Sequence, residues 1–373
     1  MQETLFLVRL EVKNPENLRV LEKTIRAHGG FEIQGEGSGD RPDLLVFELG
    51  PNPEEDFRTI QTIISMDQAG EVFLTSGELG PEVLLKAIRI GAKEFLSQPL
   101  SEVEVGEALA RFKARNQGAG RKGRMAAGRI INVIGSKGGI GSTTIAVNVA
   151  ASLAQRSPNQ SVVLMDMNIL FGDVPLFLDL APKSHWGDII SNISRLDAAF
   201  LKDSLTRHSS GVYVLPSPNA VNHYGPETPD LLERLLGLMK RMFNVVVIDG
   251  GQSLGDISLR LLEVSDQILL VSILSLPCLA NAKKLLTSLS ELRHPAAERV
   301  KVVVNRYLKN SDISLKHARE NVSTEIFWTI PNDYRTTMAA INQGKPLIQA
   351  ASKAPITRSI VELADALAKE LGW

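Results

Sequence analysis

The chain has 373 residues, 44% of them apolar, and a formal net charge of −1. This length suggests two or three domains, and the near-neutral charge gives no overall attraction to nucleic acid or anionic lipid. The single cysteine, Cys278, excludes an internal disulfide and fits a reducing compartment. No apolar run approaches the roughly 18 residues of a membrane-spanning helix, and the first residues carry no basic stretch typical of a signal peptide. Composition therefore predicts a cytoplasmic α/β protein.

Residues 1–117 alternate strand-like and helical patterns. The strand-like runs are Leu5–Val12, Asp43–Leu49, Glu71–Ser76 and Glu94–Leu96. The helical runs are Asn17–Ala27, Pro53–Ala69, Pro81–Ile90 and Glu102–Arg115. This alternation predicts a doubly wound parallel sheet of about five βα units.

The segment resembles a response-regulator receiver domain, a flavodoxin-like fold, in its spacing and in the phrases PDLLVF (42–47), LTS (74–76) and GAKEFL (91–96). The resemblance also shows which receiver groups are replaced: Arg9-Leu10 stand at the acidic pair, Glu48 at the phosphoacceptor aspartate and Gln98 at the lysine. Without the acidic pair, no hard cation is held by oxygen ligands. We therefore expect a pseudo-receiver used for binding or positioning. Genuine phosphorylation and a different α/β fold are the alternatives.

Residues 118–128 form a basic, glycine-rich linker. Residues 111–129 carry seven basic residues and no acidic one, and the glycines indicate a flexible domain boundary. The stretch could contact lipid, nucleic acid or an acidic partner. A solvated hinge kept soluble by its charge is the favoured interpretation.

The segment 129–373 begins with a pattern of strand, glycine turn and helix. Ile130–Ile134 reads as a buried strand, Lys137–Gly141 as a turn with three glycines, and a helix opens at Ser142–Thr144. Such a turn lets backbone N–H groups close on a phosphate, and the helix N-terminus adds unpaired donors and a positive dipole end. A glycine-rich turn without a ligand is the alternative.

This turn resembles the deviant Walker A motif of the MinD/ParA class of P-loop ATPases. The residues that carry the likeness are Lys137, Gly138, Gly139, Ile140 and Gly141, followed by Ser142, Thr143 and Thr144. The resemblance implies bound ATP and Mg²⁺, and a nucleotide-sandwich homodimer in which Lys137 reaches into the partner's site. It departs at Ser142, where the class usually has a second lysine.

Further strands are predicted at Val162–Met167, Val245–Ile248, Gln267–Ile273, Val300–Asn305 and Phe327–Ile330. Helices are predicted at about Pro229–Phe243, Pro277–Leu292, Asp333–Gln343 and Pro355–Leu371. The polar face of the last helix sums to a charge of −1 and gains nothing from anionic lipid. We therefore expect it to pack on the sheet, with membrane attachment as the alternative.

Polar residues follow several of these strands, where ligands of open α/β sheets bind. Thr143 is expected to place its hydroxyl on Mg²⁺, and Asp249 resembles the Walker B carboxylate that orders the metal. Asp166 completes the predicted metal set. Asn305-Arg306 and the pair Pro331 and Asp333 resemble the two places where the class brackets adenine.

The predicted catalytic set is Lys137, Asp166 and Asn168, and it is degenerate. MinD/ParA-type sites carry a second carboxylate where this chain has Asn168, and an amide is a poor general base. Ser142 also lacks an ammonium group that would stabilise charge on the transferred phosphate. Each such contribution typically accounts for roughly 10²–10³ in rate, so we expect nucleotide binding with slow or absent hydrolysis, unless Asp173 substitutes.

The order of pseudo-receiver, basic linker and P-loop domain with Ser142 resembles the TadZ/CpaE family. This resemblance implies a cytoplasmic, dimerising factor that assembles a type IV (Tad/Flp) pilus with secretion-machinery partners, at the cell pole or peripherally at the inner membrane. No specific nucleic acid is expected. The alternatives are an active ParA/MinD-like partitioning or positioning ATPase and a signalling output protein controlled by its receiver-like domain.

Overall fold

The computed structural model describes residues 5–35, 41–65, 68–77, 80–117, 128–157, 160–168, 172–218, 225–252 and 255–372. The chain divides into two compact units, residues 1–125 and 126–373. Each unit is an α/β structure built on its own sheet, which confirms the predicted fold class. Most of the predicted linker, residues 118–127, lies outside the described residues, so its boundaries stay a prediction.

The N-terminal unit is a parallel sheet of five strands in the order β2-β1-β3-β4-β5. The strands are β1 (Phe6–Glu11), β2 (Phe31–Ile33), β3 (Leu44–Glu48), β4 (Glu71–Ser76) and β5 (Glu94–Ser97). The helices are α1 (Pro15–Ala27), α2 (Pro53–Ser65), α3 (Pro81–Arg89) and α4 (Glu102–Gln117). The predicted strands are confirmed, and β2 is an addition too short to show a period-2 pattern.

The C-terminal unit has eight strands in the order β13-β12-β11-β6-β10-β7-β9-β8. They are β6 (Arg129–Gly135), β7 (Val162–Asp166), β8 (Thr206–Arg207), β9 (Tyr213–Leu215), β10 (Val245–Gly251), β11 (Gln267–Ser272), β12 (Val300–Tyr307) and β13 (Ile326–Pro331). The six predicted strands are confirmed and pair in parallel. The sequence missed β8 and β9, whose mutual pairing is antiparallel.

Helices cover both faces of this sheet. They are α5 (Ser142–Arg156), α6 (Val174–Phe177), α7 (Trp186–Ser191), α8 (Ala198–Ser204), α9 (Thr228–Met242), α10 (Asp256–Val264), α11 (Leu276–Glu291), α12 (Leu315–Val322), α13 (Tyr334–Asn342), α14 (Leu347–Ala350) and α15 (Pro355–Glu370), with short 3₁₀ turns at Ile193–Arg195 and Ala297–Arg299. One core lies between the sheet and α5 and α15, and the others lie between the opposite face and α9 to α12.

The last helix packs on α5 and β13. It buries Ile356, Ile360, Leu363 and Leu367 in the same core as α5. This confirms the predicted packing of residues 355–371 on the sheet. No helix among the described residues is both long and apolar enough to cross a membrane.

Candidate nucleotide site

The turn between β6 and α5 lies at the carboxyl end of the central strand. Gly139 and Gly141 have φ angles of 76° and 96°, a left-handed backbone that residues with a side chain rarely adopt. At Gly141 there is no room either, since an added Cβ would lie 2.6 Å from Nδ2 of Asn305. Lys137, Gly138 and Gly139 are exposed, Ile140 is buried, and Ser142, Thr143 and Thr144 are half-buried. The backbone here is thus shaped as a phosphate-binding turn requires.

The end of β12 holds this turn from the side. Asn305 Nδ2 donates a hydrogen bond of 2.7 Å to the Ile140 carbonyl oxygen, and Arg306 Nη2 donates one of 2.6 Å to the Gly139 carbonyl oxygen. The resemblance to the MinD/ParA class implied that Asn305 and Arg306 lie beside adenine, and it did not indicate that they also brace the turn. Their contact with a base stays a prediction.

Thr143 and Asp249 meet directly beneath the turn. The hydroxyl of Thr143 donates a hydrogen bond of 2.6 Å to Oδ2 of Asp249. Asp249 is completely buried, and its Oδ1 has no hydrogen-bond partner among the described residues. A buried carboxylate oxygen without a partner is costly, so this atom fits a water or metal ligand. The pair brings together two of the three predicted metal residues.

Asp166 is the register partner of Asp249 on the neighbouring strand. Burial raises the pKa of Asp249 to about 6. Burial and, next, the proximity of Asp249 raise the pKa of Asp166 to about 8. Two buried acids in adjacent strands favour a cation nearby. The described residues hold no cluster of three His, Cys, Asp or Glu side chains that would bind a metal alone. Mg²⁺ usually takes one or two protein ligands and fills its shell with phosphates and water.

Both carboxylate oxygens of Asp166 are already engaged. Oδ1 accepts a hydrogen bond of 2.9 Å from the Asn168 backbone N–H, and Oδ2 accepts one of 3.2 Å from that of Val174. Its carbonyl oxygen accepts a bond of 3.1 Å from the fully buried Trp186 indole. In this structure Asp166 organises the loop that carries Asn168. Its assignment as a metal ligand and catalytic group stays a prediction.

Other predicted residues surround this centre. Asn168, which follows β7, lies next to the end of β10. A Cβ added to Gly251 of β10 would come 3.5 Å from Cγ of Asn168. Asp333 accepts a hydrogen bond of 3.1 Å from the Thr336 N–H and so caps α13, while Pro331 ends β13. Sequence reasoning missed Gln252, whose amide oxygen would lie 2.9 Å from a Cβ on Gly138. Its position three residues after Asp249 could have signalled it.

The corresponding edge of the N-terminal unit is closed by its own side chains. Glu48 Oε2 accepts hydrogen bonds from the backbone N–H groups of Lys13, at 2.5 Å, and Asn14, at 2.8 Å. Its Oε1 accepts one of 2.7 Å from Gln98 Nε2 and a longer one of 3.5 Å from Asn17 Nδ2. Burial alone would raise the pKa of Glu48, but these bonds outweigh it and the pKa lies below the ordinary 4.5.

Four basic residues on the two sides of the linker make contacts within their own unit. Arg111 and Arg115 form ion pairs with Glu94, and Arg115 also pairs with Glu71. Lys113 Nζ donates to the carbonyl oxygens of residues 28 and 29. In the C-terminal unit, Arg129 pairs with Asp266. The other three basic residues lie outside the described residues. These four residues are therefore engaged within their own units, and the hinge interpretation of residues 118–128 stays a prediction.

A mostly parallel sheet whose central strand runs through a glycine turn into a helix, with Thr143 hydrogen-bonded to the buried Asp249, is typical of a P-loop NTPase. The family model for ParA, described as NUBPL iron-transfer P-loop NTPase, matches residues 126–368. The chain therefore belongs to the ParA family, and over this region it is a ParA/MinD-like P-loop protein.

Solved structures agree with this assignment. A ParA family ATPase from Chlorobium tepidum aligns with a TM-score of 0.59 and 25% identity, over 64% of this chain and 99% of that one. A MinC:MinD cell division complex from Aquifex aeolicus aligns with a TM-score of 0.54 and 18% identity, over 65% and 96%. MinD from Pyrococcus horikoshii, solved with Mg-ADP, gives 0.54 and 20%, over 65% and 97%. The last two likenesses show the fold.

Proposed function

We propose that this protein is a ParA/MinD-like positioning ATPase that binds ATP with Mg²⁺ and dimerises in the bound state. The hydrogen-bonded Thr143–Asp249 pair beneath the glycine turn carries the proposal, since the second oxygen of buried Asp249 has no partner within the described part of the chain. Thr143 and Asp249 would hold the metal, and the turn residues would hold the phosphates. Mg²⁺ would supply charge neutralisation on the phosphates.

The surface around the turn supports dimerisation through the nucleotide-binding edge. Four large apolar side chains that follow strand ends at this edge are more than half exposed: Leu176, Leu276, Leu308 and Tyr334. Large exposed apolar side chains along one edge are typical of an association surface. Two copies that met at this edge would bury them, and Lys137 is exposed there as the predicted cross-dimer lysine.

Light scattering after gel filtration tests this proposal. We expect a monomer without nucleotide and a dimer with ATP and Mg²⁺. Leu276→Glu should prevent the dimer, whereas Leu292→Glu should not, because Leu292 is equally exposed but follows the opposite end of α11. If the Leu276→Glu variant binds ATP and still dimerises like the wild type, the proposed surface is wrong.

Slow hydrolysis and a role in pilus assembly are finer parts of the proposal. The first rests on Ser142 and Asn168. The second rests on domain order and Ser142, and the comparisons support only the broader ParA/MinD-like function. Loss of surface pili on gene deletion would support the pilus role, and normal piliation would refute it. A cytoplasmic location stays the prediction from composition.

We propose that the N-terminal unit docks a partner without being phosphorylated. The supporting observation is that Glu48 is saturated by hydrogen bonds from Lys13, Asn14 and Gln98. Incubation with acetyl phosphate and Mg²⁺ should leave the mass of peptides from residues 1–117 unchanged. A stable gain of one phosphate there would make the unit a working receiver and favour the signalling alternative.

A further inference from the structure

A cavity of about 250 Å³ lies at the carboxyl end of β6, on the face of the sheet that α11 covers. One wall is the end of β6 at Gly135 and Ser136, another is α11, and Gln252 contributes from the end of β10. The volume is slightly below the roughly 300–1,000 Å³ of pockets that enclose whole small-molecule ligands. It therefore suits a small ligand group and not a large molecule.

The polar lining favours an anion. Among the described lining residues, Lys284 of α11 is the one with a charge, and Gln252 and Ser288 contribute polar side chains. The Ser136 carbonyl oxygen, an acceptor that would repel an anion, already receives a hydrogen bond of 3.0 Å from Asn281 Nδ2. None of the described residues that line the cavity is acidic.

The remaining lining is apolar. Ile134 and Leu285 form part of the wall and belong to the core beneath α11. A ligand with a short hydrocarbon stem and a terminal carboxylate would match both parts. Such a carboxylate can accept hydrogen bonds from an ammonium and an amide at once.

The cavity shares a wall with the phosphate-binding turn. The side chain of Gln252 lines the cavity and also lies against Gly138, where an added Cβ would come 2.9 Å from its Oε1. Ser136, another lining residue, directly precedes the turn. An occupant would therefore contact the residues that support the turn without lying in the phosphate cradle itself.

We propose that this cavity binds a carboxylate of the size of a glutamate side chain, held by Lys284 and Gln252. The same chemistry is offered by an acidic side chain of a partner protein and by a free short dicarboxylate. The site goes beyond the proposed ATPase function and does not depend on nucleotide.

Titration of the full-length ¹⁵N-labelled protein without nucleotide tests the site, with two probes at constant ionic strength. Glutarate represents a free dicarboxylate, and N-acetylglutamate amide represents a protein side chain. Binding should shift the backbone amides of Gly135 and Ser136. Binding of the second probe would indicate a protein partner, and binding of glutarate alone would indicate a metabolite.

Lys284→Ala should weaken binding about tenfold or more, since it removes a charged hydrogen-bond donor. Lys283→Ala is the matched control, because this neighbour on α11 is also exposed and lies outside the lining. Ser288→Leu should abolish binding by filling the cavity while the charge remains. The proposal is overturned if neither probe shifts these amides, or if Lys284→Ala and Lys283→Ala bind alike. Failure of ATP binding would leave these outcomes unaffected.

Discussion

The two units place an acidic residue at the same kind of position and use it differently. Glu48 ends β3 and Asp249 lies near the end of β10, each at the carboxyl edge of a parallel sheet. Both oxygens of Glu48 accept hydrogen bonds from the chain itself. Asp249 receives one from Thr143 and keeps its other oxygen free of partners among the described residues.

The difference shows that a topology alone does not make a binding site. In the N-terminal unit the long glutamate reaches the start of α1 and closes the edge. In the C-terminal unit a shorter aspartate lies beneath the glycine turn, and one of its oxygens has no partner among the described residues. The closed edge stabilises its own unit, whereas the open edge carries an unfavourable buried charge that a cation can neutralise.

The largest effect is expected from restoring two missing charges. Ser142→Lys combined with Asn168→Asp should raise steady-state phosphate release by at least about 10²-fold, because an ammonium and a general base return together. The wild type should stay well below about 1 s⁻¹. Wild-type turnover at or above that rate, or no gain in the double variant, would show that Ser142 and Asn168 do not limit hydrolysis.

Removing the negative charge of Asp249 should weaken nucleotide binding through loss of Mg²⁺. Asp249→Asn should raise the Kd for ATP about 10–100-fold when Mg²⁺ is present, measured by calorimetry. With EDTA the variant and the wild type should bind alike. Asp266→Asn serves as control, since this carboxylate pairs with Arg129 and Lys240 before β11 begins. An equal loss in EDTA would mean that Asp249 supports the fold and not the metal.

The two left-handed glycines of the turn should differ in how much space they allow. Gly141→Ala should lower the free energy of unfolding by about 2–3 kcal/mol, because backbone strain adds to a clash with Asn305. Gly139→Ala should cost about 1–2 kcal/mol from strain alone, since a Cβ there meets nothing within 4 Å. Denaturant unfolding without nucleotide measures both. Equal losses of unfolding free energy would show that the Asn305 side chain moves away from the added Cβ without a cost.

Breaking the closed edge should affect only the N-terminal unit. Glu48→Gln replaces a charged acceptor of several hydrogen bonds at a partly exposed position and should cost about 1 kcal/mol. Hydrogen exchange of β1 and β3 in the full chain measures this loss. Glu55→Gln, an exposed residue of α2, should change nothing. ATP affinity should be unaltered in both variants.

The smallest expected effect is the pH dependence of the stability that Glu48 contributes to the N-terminal unit. Because hydrogen bonding lowers the pKa of Glu48 below 4.5, its stabilisation is fully present above the unfolded pKa. It is lost as the pH falls through the folded-state pKa. The difference in hydrogen exchange between wild type and Glu48→Gln should therefore be constant near neutral pH and shrink below pH 4.5. A difference that grew on acidification would reverse the assigned sign.

The sequence by itself determined the fold class and the centre of the site. Long β-branched runs such as Val245–Ile248 are read from local composition. The glycine turn is equally local, because its backbone needs residues without a Cβ. Thr143 and Asp249 could be predicted from their places after a turn and a strand, and the structure brings them within 2.6 Å.

The tertiary structure decided what these local patterns could not. Asn305 and Arg306 brace a turn that lies more than 160 residues earlier. The carboxylate oxygens of Asp166 accept hydrogen bonds from the backbone of Asn168 and Val174. Glu48 closes the edge of the N-terminal sheet. The short strands β2, β8 and β9 form only through pairing with neighbours. For the side chains, the outcome depends on which hydrogen-bond donor the tertiary packing places next to which acceptor, and on how much water the packing excludes. Neither quantity is written in the spacing of residues along the chain.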